Sequence, residues 1–300
     1  MDMTQNKCCR HGANLHRRRR RRRKILRSII FSCSIIAVAV FVAVGSRMIT
    51  SGDGRTNKYD VEAGNNTYDN AVIENSKISE KNKIQNNQSM LDDIMNSTQY
   101  PKQLKELALK NEEALEFVYD YPAEHVKEHT IDLTEEASMD SVPLFVQWDK
   151  RWGYEKYSGN FFAASGCGPT TLSMVVVYLT HNREASPIAV AKYSKEAGYS
   201  VDGSGSSWTL ISEGCRHYGV KAKAVALDES RMKAELDEGH PIVVNVGPGD
   251  FTDTGHFMVI TGYDDEGFSI NDPNSIEKSG KRWLFKNISS QIRAVWSMYV

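Results

Sequence analysis

The chain has 300 residues, 40% of them apolar, and a formal charge of −1 at neutral pH. That length holds one ordinary domain with appendages, or two small ones. The near-neutrality hides two unlike parts: residues 1–47 carry 12 Lys/Arg against one acid, and residues 48–300 carry 25 bases against 37 acids. A body with a net charge of −12 opposes nucleic acid, so no nucleic-acid partner is expected. The five cysteines, Cys8, Cys9, Cys33, Cys167 and Cys215, form no Cys-x-x-Cys pair and no Cys/His group with zinc-ligand spacing. No metal or cofactor is expected, and a body of this size does not depend on disulfides.

Residues 1–27 form a basic tail containing seven consecutive arginines, Arg17 to Arg23. Residues 28–46 then run for nineteen positions without a charge, near the short end of the range for a spanning helix. The positive flank lies on the N-terminal side. It predicts a single-pass membrane anchor with the N-terminus in the cytoplasm and the C-terminal body outside the cell. Small residues at Ala43-Val44-Gly45 leave a cleavable signal peptide as the alternative. Residues 47–99, rich in Asn, Ser, Lys, Glu and Asp, read as a flexible stalk. A helical segment is expected over 100–140, where Leu104, Leu107, Ala108, Leu115 and Val118 recur at helical spacing. His125 and His129, four apart, read as an exposed basic pair rather than metal ligands.

From residue 141 aromatics, glycines and short β-like runs become frequent. Strands are expected at 142–147, 221–226, 241–246, 256–263 and 267–271, with a last one ending at 300. Helices are expected at 167–179, 187–197, 207–218 and 287–293. Helices first and hairpin-joined strands second is an α+β pattern over 141–300.

The chemistry concentrates around Gly166-Cys167-Gly168-Pro169. Proline suits a helix's first turn, where its missing N–H has no intrahelical partner anyway. Cys167 is thereby placed at a helix N-terminus, whose unpaired N–H groups and dipole favour a thiolate. The flanking glycines leave room for a substrate carbonyl, and the Cys167 N–H can serve an oxyanion. Of the histidines, His256 follows a glycine at the entrance of a strand. A hairpin turning at Asp264-Asp265-Glu266-Gly267 returns Asp272 toward His256. Alone, Asp272 before Pro273 reads as a turn initiator. Together with the cysteine and the histidine it completes a Cys–His–Asp triad. Trp148, Trp152, Trp208 and Phe251 could line a substrate cleft, Trp208 and Phe251 being the leading candidates, and core or corner packing is the alternative for each. Cys215, in a helical pattern, reads as a core residue.

Four stretches resemble one known family: Val142-Pro143-Leu144-Phe145-Val146-Gln147-Trp148-Asp149-Lys150-Arg151-Trp152-Gly153-Tyr154, the Gly-Cys-Gly-Pro-Thr-Thr turn, Gly255-His256-Phe257, and Asn271-Asp272-Pro273-Asn274-Ser275. They look like cysteine peptidase family 39, and more narrowly its stand-alone, peptidase C39-like branch of Gram-positive bacteria. The resemblance covers about 140–300. It implies a papain-like α+β fold with the nucleophile at a helix N-terminus packed on an antiparallel sheet, and a triad of Cys167, His256 and Asp272. It also implies a glutamine in the oxyanion hole, for which Gln147 is the match at a longer spacing than transporter-fused members show. The chain lacks their exporter, so cleavage of leader peptides is not carried over. The expected activity is hydrolysis of a peptide or protein amide, with cell-wall peptide as a further substrate. A binding or scaffold domain of the same fold without catalysis is the alternative.

Overall fold

A polar stretch without a single proline or glycine can still coil, and residues 66–96 do so. The computed structural model describes residues 66–300, with side chains from 79 onward; the basic tail and the expected span over 28–46 lie outside the described residues. Helix α1, Asn66–Asn96, occupies most of the region expected as a flexible stalk. Its composition excludes a core of its own, not a helix. Near its C-terminal end Ile94 is fully buried, with Met90 and Leu91 beside it, against Leu104 and Leu107 of α2 (Lys102–Lys110) and Phe117 of α3 (Leu115–Tyr119). Phe161 and Ala163 join the same cluster, which ties this N-terminal region to the rest. Residues 70–300 form one compact unit. Among the described residues no helix is long and apolar enough to cross a membrane.

The central helix α4, Cys167–Thr180, begins and ends close to its expected bounds. Leu172 and Met174 to Val177 are all fully buried, so this helix is enclosed on every side rather than amphipathic. It stops at His181, which takes a left-handed conformation and pairs its Nδ1 with the Ala137 carbonyl at 2.7 Å. Helix α5, Pro187–Glu196, starts as its residues dictate: Ser186 caps the Ala189 N–H and Pro187 occupies the first turn. The helix expected over 207–218 breaks into Thr209–Ser212 and a 3₁₀ turn, Gly214–Tyr218. Gly214 sits where a Cβ would lie 3.0 Å from the Tyr199 ring, so a close approach sets the break.

Six strands make one antiparallel sheet: β1 Lys221–Ala224, β2 Ile242–Val246, β3 His256–Asp264, β4 Gly267–Asn271, β5 Arg282–Trp283 and β6 Ile292–Tyr299. Their spatial order is β1-β6-β2-β3-β4-β5. Alternate residues of the central strands enter different cores, as the two-residue period of a strand requires. Val243, Phe257, Val259 and Trp296 pack with α4, while Ile242, Val244, Met258 and Ile260 pack with Met232 and Leu236 of helix α6, Glu229–Asp237. The sheet is thus covered on both faces, with α4 on one and α6 on the other.

Two further expectations change. The segment 142–147 joins no ladder; Asn271 Nδ2 donates to the Val142 and Pro143 carbonyls instead, and Pro143 has no N–H to offer. The terminal helix is shorter than expected, Phe285–Ile288 with a 3₁₀ turn to Gln291, because β6 already begins at Ile292.

The α1 contact is open to a direct check. Ile94→Ala removes a fully buried side chain and should lower unfolding free energy by about 2–5 kcal/mol in chemical denaturation. An unchanged midpoint would mean that α1 does not dock.

Candidate active site

Cys167 is the first residue of α4, capped by Gly166. The two glycines beside it are needed for packing more than for access. A Cβ on Gly166 would sit 2.6 Å from the Phe162 ring, and one on Gly168 would meet Ser206 Oγ at 2.5 Å. Ser206 is in turn bound to the Tyr157 hydroxyl at 2.7 Å. The sulfur's position is therefore dictated by small residues on both sides, and the side chain itself is half-buried.

His256 opens β3, opposite Val246 of β2. The β3–β4 hairpin turns at Asp264–Gly267 and pairs Asn271 with Val259, so Asp272 emerges beside the start of β3. His256 Nε2 and Asp272 Oδ1 are 2.7 Å apart, and both residues are buried. With Nε2 held by the carboxylate, Nδ1 is the ring nitrogen left to serve Cys167, whose thiol is electrostatically coupled to His256. Asp272 Oδ1 also accepts from the Asn274 N–H at 2.8 Å. Its second oxygen, Oδ2, is buried with no hydrogen-bond partner among the described residues.

The electrostatics follow from that geometry. Burial pushes the Cys167 thiol up, but the hydrogen bond and charge of His256, helped by the Phe257 and Gly168 N–H groups, bring it below the usual thiol range. Burial pushes the His256 imidazole down, and the Asp272 charge, with hydrogen bonds to Asp272 and Cys167, raises it well above its ordinary value. A thiolate–imidazolium pair is thus favoured near neutral pH, which supplies a nucleophile and a proton donor together. Cys215 shows the contrast: fully buried and without such a partner, its thiol is pushed up to about 11. It is a core residue, as expected.

A cleft of about 760 Å³ opens over Cys167. Its walls are mostly small: Ser158, Gly159, Gly203, Gly205, Ser206 and Gly255. Trp208, 45% exposed, is among the residues that line it. Phe251 does not. It is 4% exposed, lies 4.6 Å ring to ring from Trp283, and fills the core on the α6 face of the sheet. Core packing, the alternative reading, holds for Phe251, because loop position alone does not say which way a ring faces. Trp152 is likewise core, and Trp148 donates to the Asn274 carbonyl at 3.2 Å.

Gln147 is buried, its backbone N–H on the Pro273 carbonyl at 2.7 Å. Its Nε2 donates to the Ala163 carbonyl at 2.7 Å, in the short helix Phe162–Ser165 that leads into Cys167. In this geometry Gln147 braces the approach to the cysteine and is not among the residues that line the cleft. Sequence reasoning missed Asn245, Arg293 and Gln103, all of which do line it. Asn245 Nδ2 donates to the His256 carbonyl at 3.2 Å, and an asparagine in an otherwise apolar strand was the available signal. Arg293 lies over Gly247, where a Cβ would fall 2.0 Å from its Nε.

The ionisation pattern predicts selective alkylation. At pH 6.5 iodoacetamide should label Cys167 at least roughly tenfold faster than a small free thiol, one unit of pKa being about a factor of ten. Cys215 should label only on unfolding. Equal rates for Cys167 and a free thiol would refute the ion pair.

Comparison with known proteins gives the chain's family. Residues 139–300 match the Peptidase_C39 like family. Among solved structures, the peptidase domain of Streptococcus ComA, a bi-functional ABC transporter involved in a quorum-sensing pathway, is 19% identical with a TM-score of 0.38. That alignment covers 53% of this chain and 96% of that one. A C39-like peptidase candidate from Bacillus anthracis is 16% identical with a TM-score of 0.34, over 53% and 95% of the two chains. No curated protein matches. With more than half of its length inside the family match, and with Cys167, His256 and Asp272 all inside it, the chain belongs to the Peptidase_C39 like family.

Proposed function

We propose that this chain is a cysteine peptidase that hydrolyses peptide amide bonds through Cys167, His256 and Asp272. The observation that carries the reading is the arrangement itself: a thiol at a helix start, electrostatically coupled to an imidazole whose Nε2 is 2.7 Å from a buried carboxylate. A merely structural cysteine has no need of an open cleft above it or of a charged histidine beside it.

In the proposed reaction the Cys167 thiolate adds to the scissile carbonyl carbon. The resulting oxyanion lies at the N-terminus of α4, within reach of the Cys167 N–H. Collapse breaks the C–N bond, and His256 gives its Nδ1 proton to the departing amine. Neutral His256 then takes a proton from water, whose oxygen attacks the thioester carbon. The acid product leaves and the thiolate–imidazolium pair is restored. Asp272 holds the ring by Nε2 throughout.

The small-residue walls suit an extended peptide with small side chains around the cleaved bond. The acidic body and the uncharged run over 28–46 support placing the enzyme on the outer face of a cell membrane, where exported protein or cell-wall peptide would be its substrate.

Cys167→Ala should abolish hydrolysis of a peptide library while leaving thermal unfolding intact, and Asp272→Asn should lower kcat by at least about 100-fold. Full turnover by Cys167→Ala would end the assignment of Cys167 as nucleophile, and no turnover by the wild-type chain would favour a binding domain. Arg293 brings a positive charge to a cleft whose other walls are neutral apart from the Cys167 site. Arg293→Ala should therefore reduce kcat/KM for peptides with an acidic residue near the cleaved bond, by roughly tenfold, and leave neutral ones unchanged.

A further inference from the structure

The loop that carries Asp272 is held from outside the family match. Five hydrogen bonds reach it from two residues just after α2, some 160 positions earlier in the chain. Asn111 Nδ2 donates to the Asn274 carbonyl at 2.9 Å and to its side-chain oxygen at 3.1 Å. Glu113 accepts the Ser275 hydroxyl on Oε1, and on Oε2 the backbone N–H groups of Ile276 at 2.7 Å and Glu277 at 3.0 Å. Those two N–H groups open the short helix Ile276–Ser279 and have no partner inside it.

These bonds bear on Asp272 through a short path. The Asn274 N–H donates to Asp272 Oδ1, the same oxygen that holds His256 Nε2. Ser279 Oγ, at the other end of the short helix, accepts the Asp272 N–H at 2.9 Å. Moving either Asn274 or the helix therefore moves the carboxylate. Asn111 and Glu113 are themselves well anchored. Asn111 Oδ1 caps the 3₁₀ turn Glu112–Ala114, and Ala114 and Leu115 lie in the cluster that includes Phe161 and Ala163, just upstream of Cys167. One N-terminal segment thus grips both the approach to the nucleophile and the loop of the acid. Its neighbour Gln103 also lines the cleft.

We infer that Asn111 and Glu113 are positioning residues for the site: they set the register of the Asp272–Glu277 loop so that Oδ1 meets His256 Nε2. The inference rests on the peptidase reading above and adds that segment 100–140 is part of the working enzyme. Loss of Glu113 frees the loop, weakens the hold on the imidazolium, and so raises the pH at which the Cys167 thiolate forms.

The test is the pH profile of Cys167 alkylation by iodoacetamide in the full chain, with unfolding followed in parallel. Glu113→Ala, Glu113→Gln and Asn111→Ala are compared with Glu112→Ala. Glu112 bonds Asn87 and is not among the residues that contact the loop, so its variant controls for general loosening of the segment. Expected are a midpoint moved up by about one pH unit in Glu113→Ala, a smaller move in Asn111→Ala, and none in Glu112→Ala. Glu113→Gln should move less than Glu113→Ala, because its amide oxygen can still accept both backbone N–H groups while its NH2 donates to the Ser275 hydroxyl oxygen. Combined with Asp272→Asn, Glu113→Ala should add nothing further, since both act through the same carboxylate. A folded Glu113→Ala with the wild-type midpoint, or additive shifts with Asp272→Asn, overturns the inference. If Glu113→Ala does not fold, Asn111→Ala and its cycle with Asp272→Asn decide. A slow wild-type thiol instead refutes the peptidase reading itself, and is distinguished by needing no variant.

Discussion

A carboxylate with no exposed surface, such as that of Asp272, loses its hydration, and the cost is several kcal/mol unless charge and hydrogen bonds replace the water. Here the replacement is lopsided. Both His256 Nε2 and the Asn274 N–H converge on Oδ1, while Oδ2 has no partner among the described residues. The arrangement is satisfied best when the imidazole is protonated, because only then does a full positive charge face the buried negative one. That protonated ring in turn favours the thiolate of Cys167. Buried carboxylate, cation and sulfur stabilise each other in sequence, and each is held by a different part of the chain.

The architecture serves that convergence. α4 carries the sulfur at its N-terminal end, and the hydroxyl of Thr171 one turn on bonds the Phe257 carbonyl at 3.1 Å, locking helix to strand next to His256. The β3–β4 hairpin brings the carboxylate back beside the ring through antiparallel pairing alone. Neither element fixes the loop after β4. That loop is met by Asn111, Glu113, Gln147 and Trp148, all from residues upstream of the helix and sheet. The N-terminal segment is therefore packed as scaffold, not carried as an appendage.

Much of this was legible in the residues. The start of α4 follows from Gly-Cys-Gly-Pro before an apolar run, and the β4 bounds follow from a turn signal followed by alternation. The triad candidates were found because each sits at an element's end, where local pattern says where a side chain is aimed. What escaped has a common cause. Asn111 and Glu113 look like any polar residues on a helical surface, and their partners lie more than 160 positions away. The inward turn of Phe251 depends on Trp283, and the break at Gly214 on Tyr199, neither of which local pattern reveals. The stalk expectation failed over 66–96 because low apolar content excludes a core but does not forbid a helix that docks one end on somebody else's core. The anchor expected over 28–46 lies outside the described residues.

The charge state of His256 at neutral pH is the point on which the account stands. Nitrogen NMR of the labelled imidazole between pH 6 and 8 reports it directly. The account predicts that both ring nitrogens stay protonated across that range in the native chain. A ring that titrates to neutral near its ordinary value of about 6.5, with Asp272 intact, would contradict it.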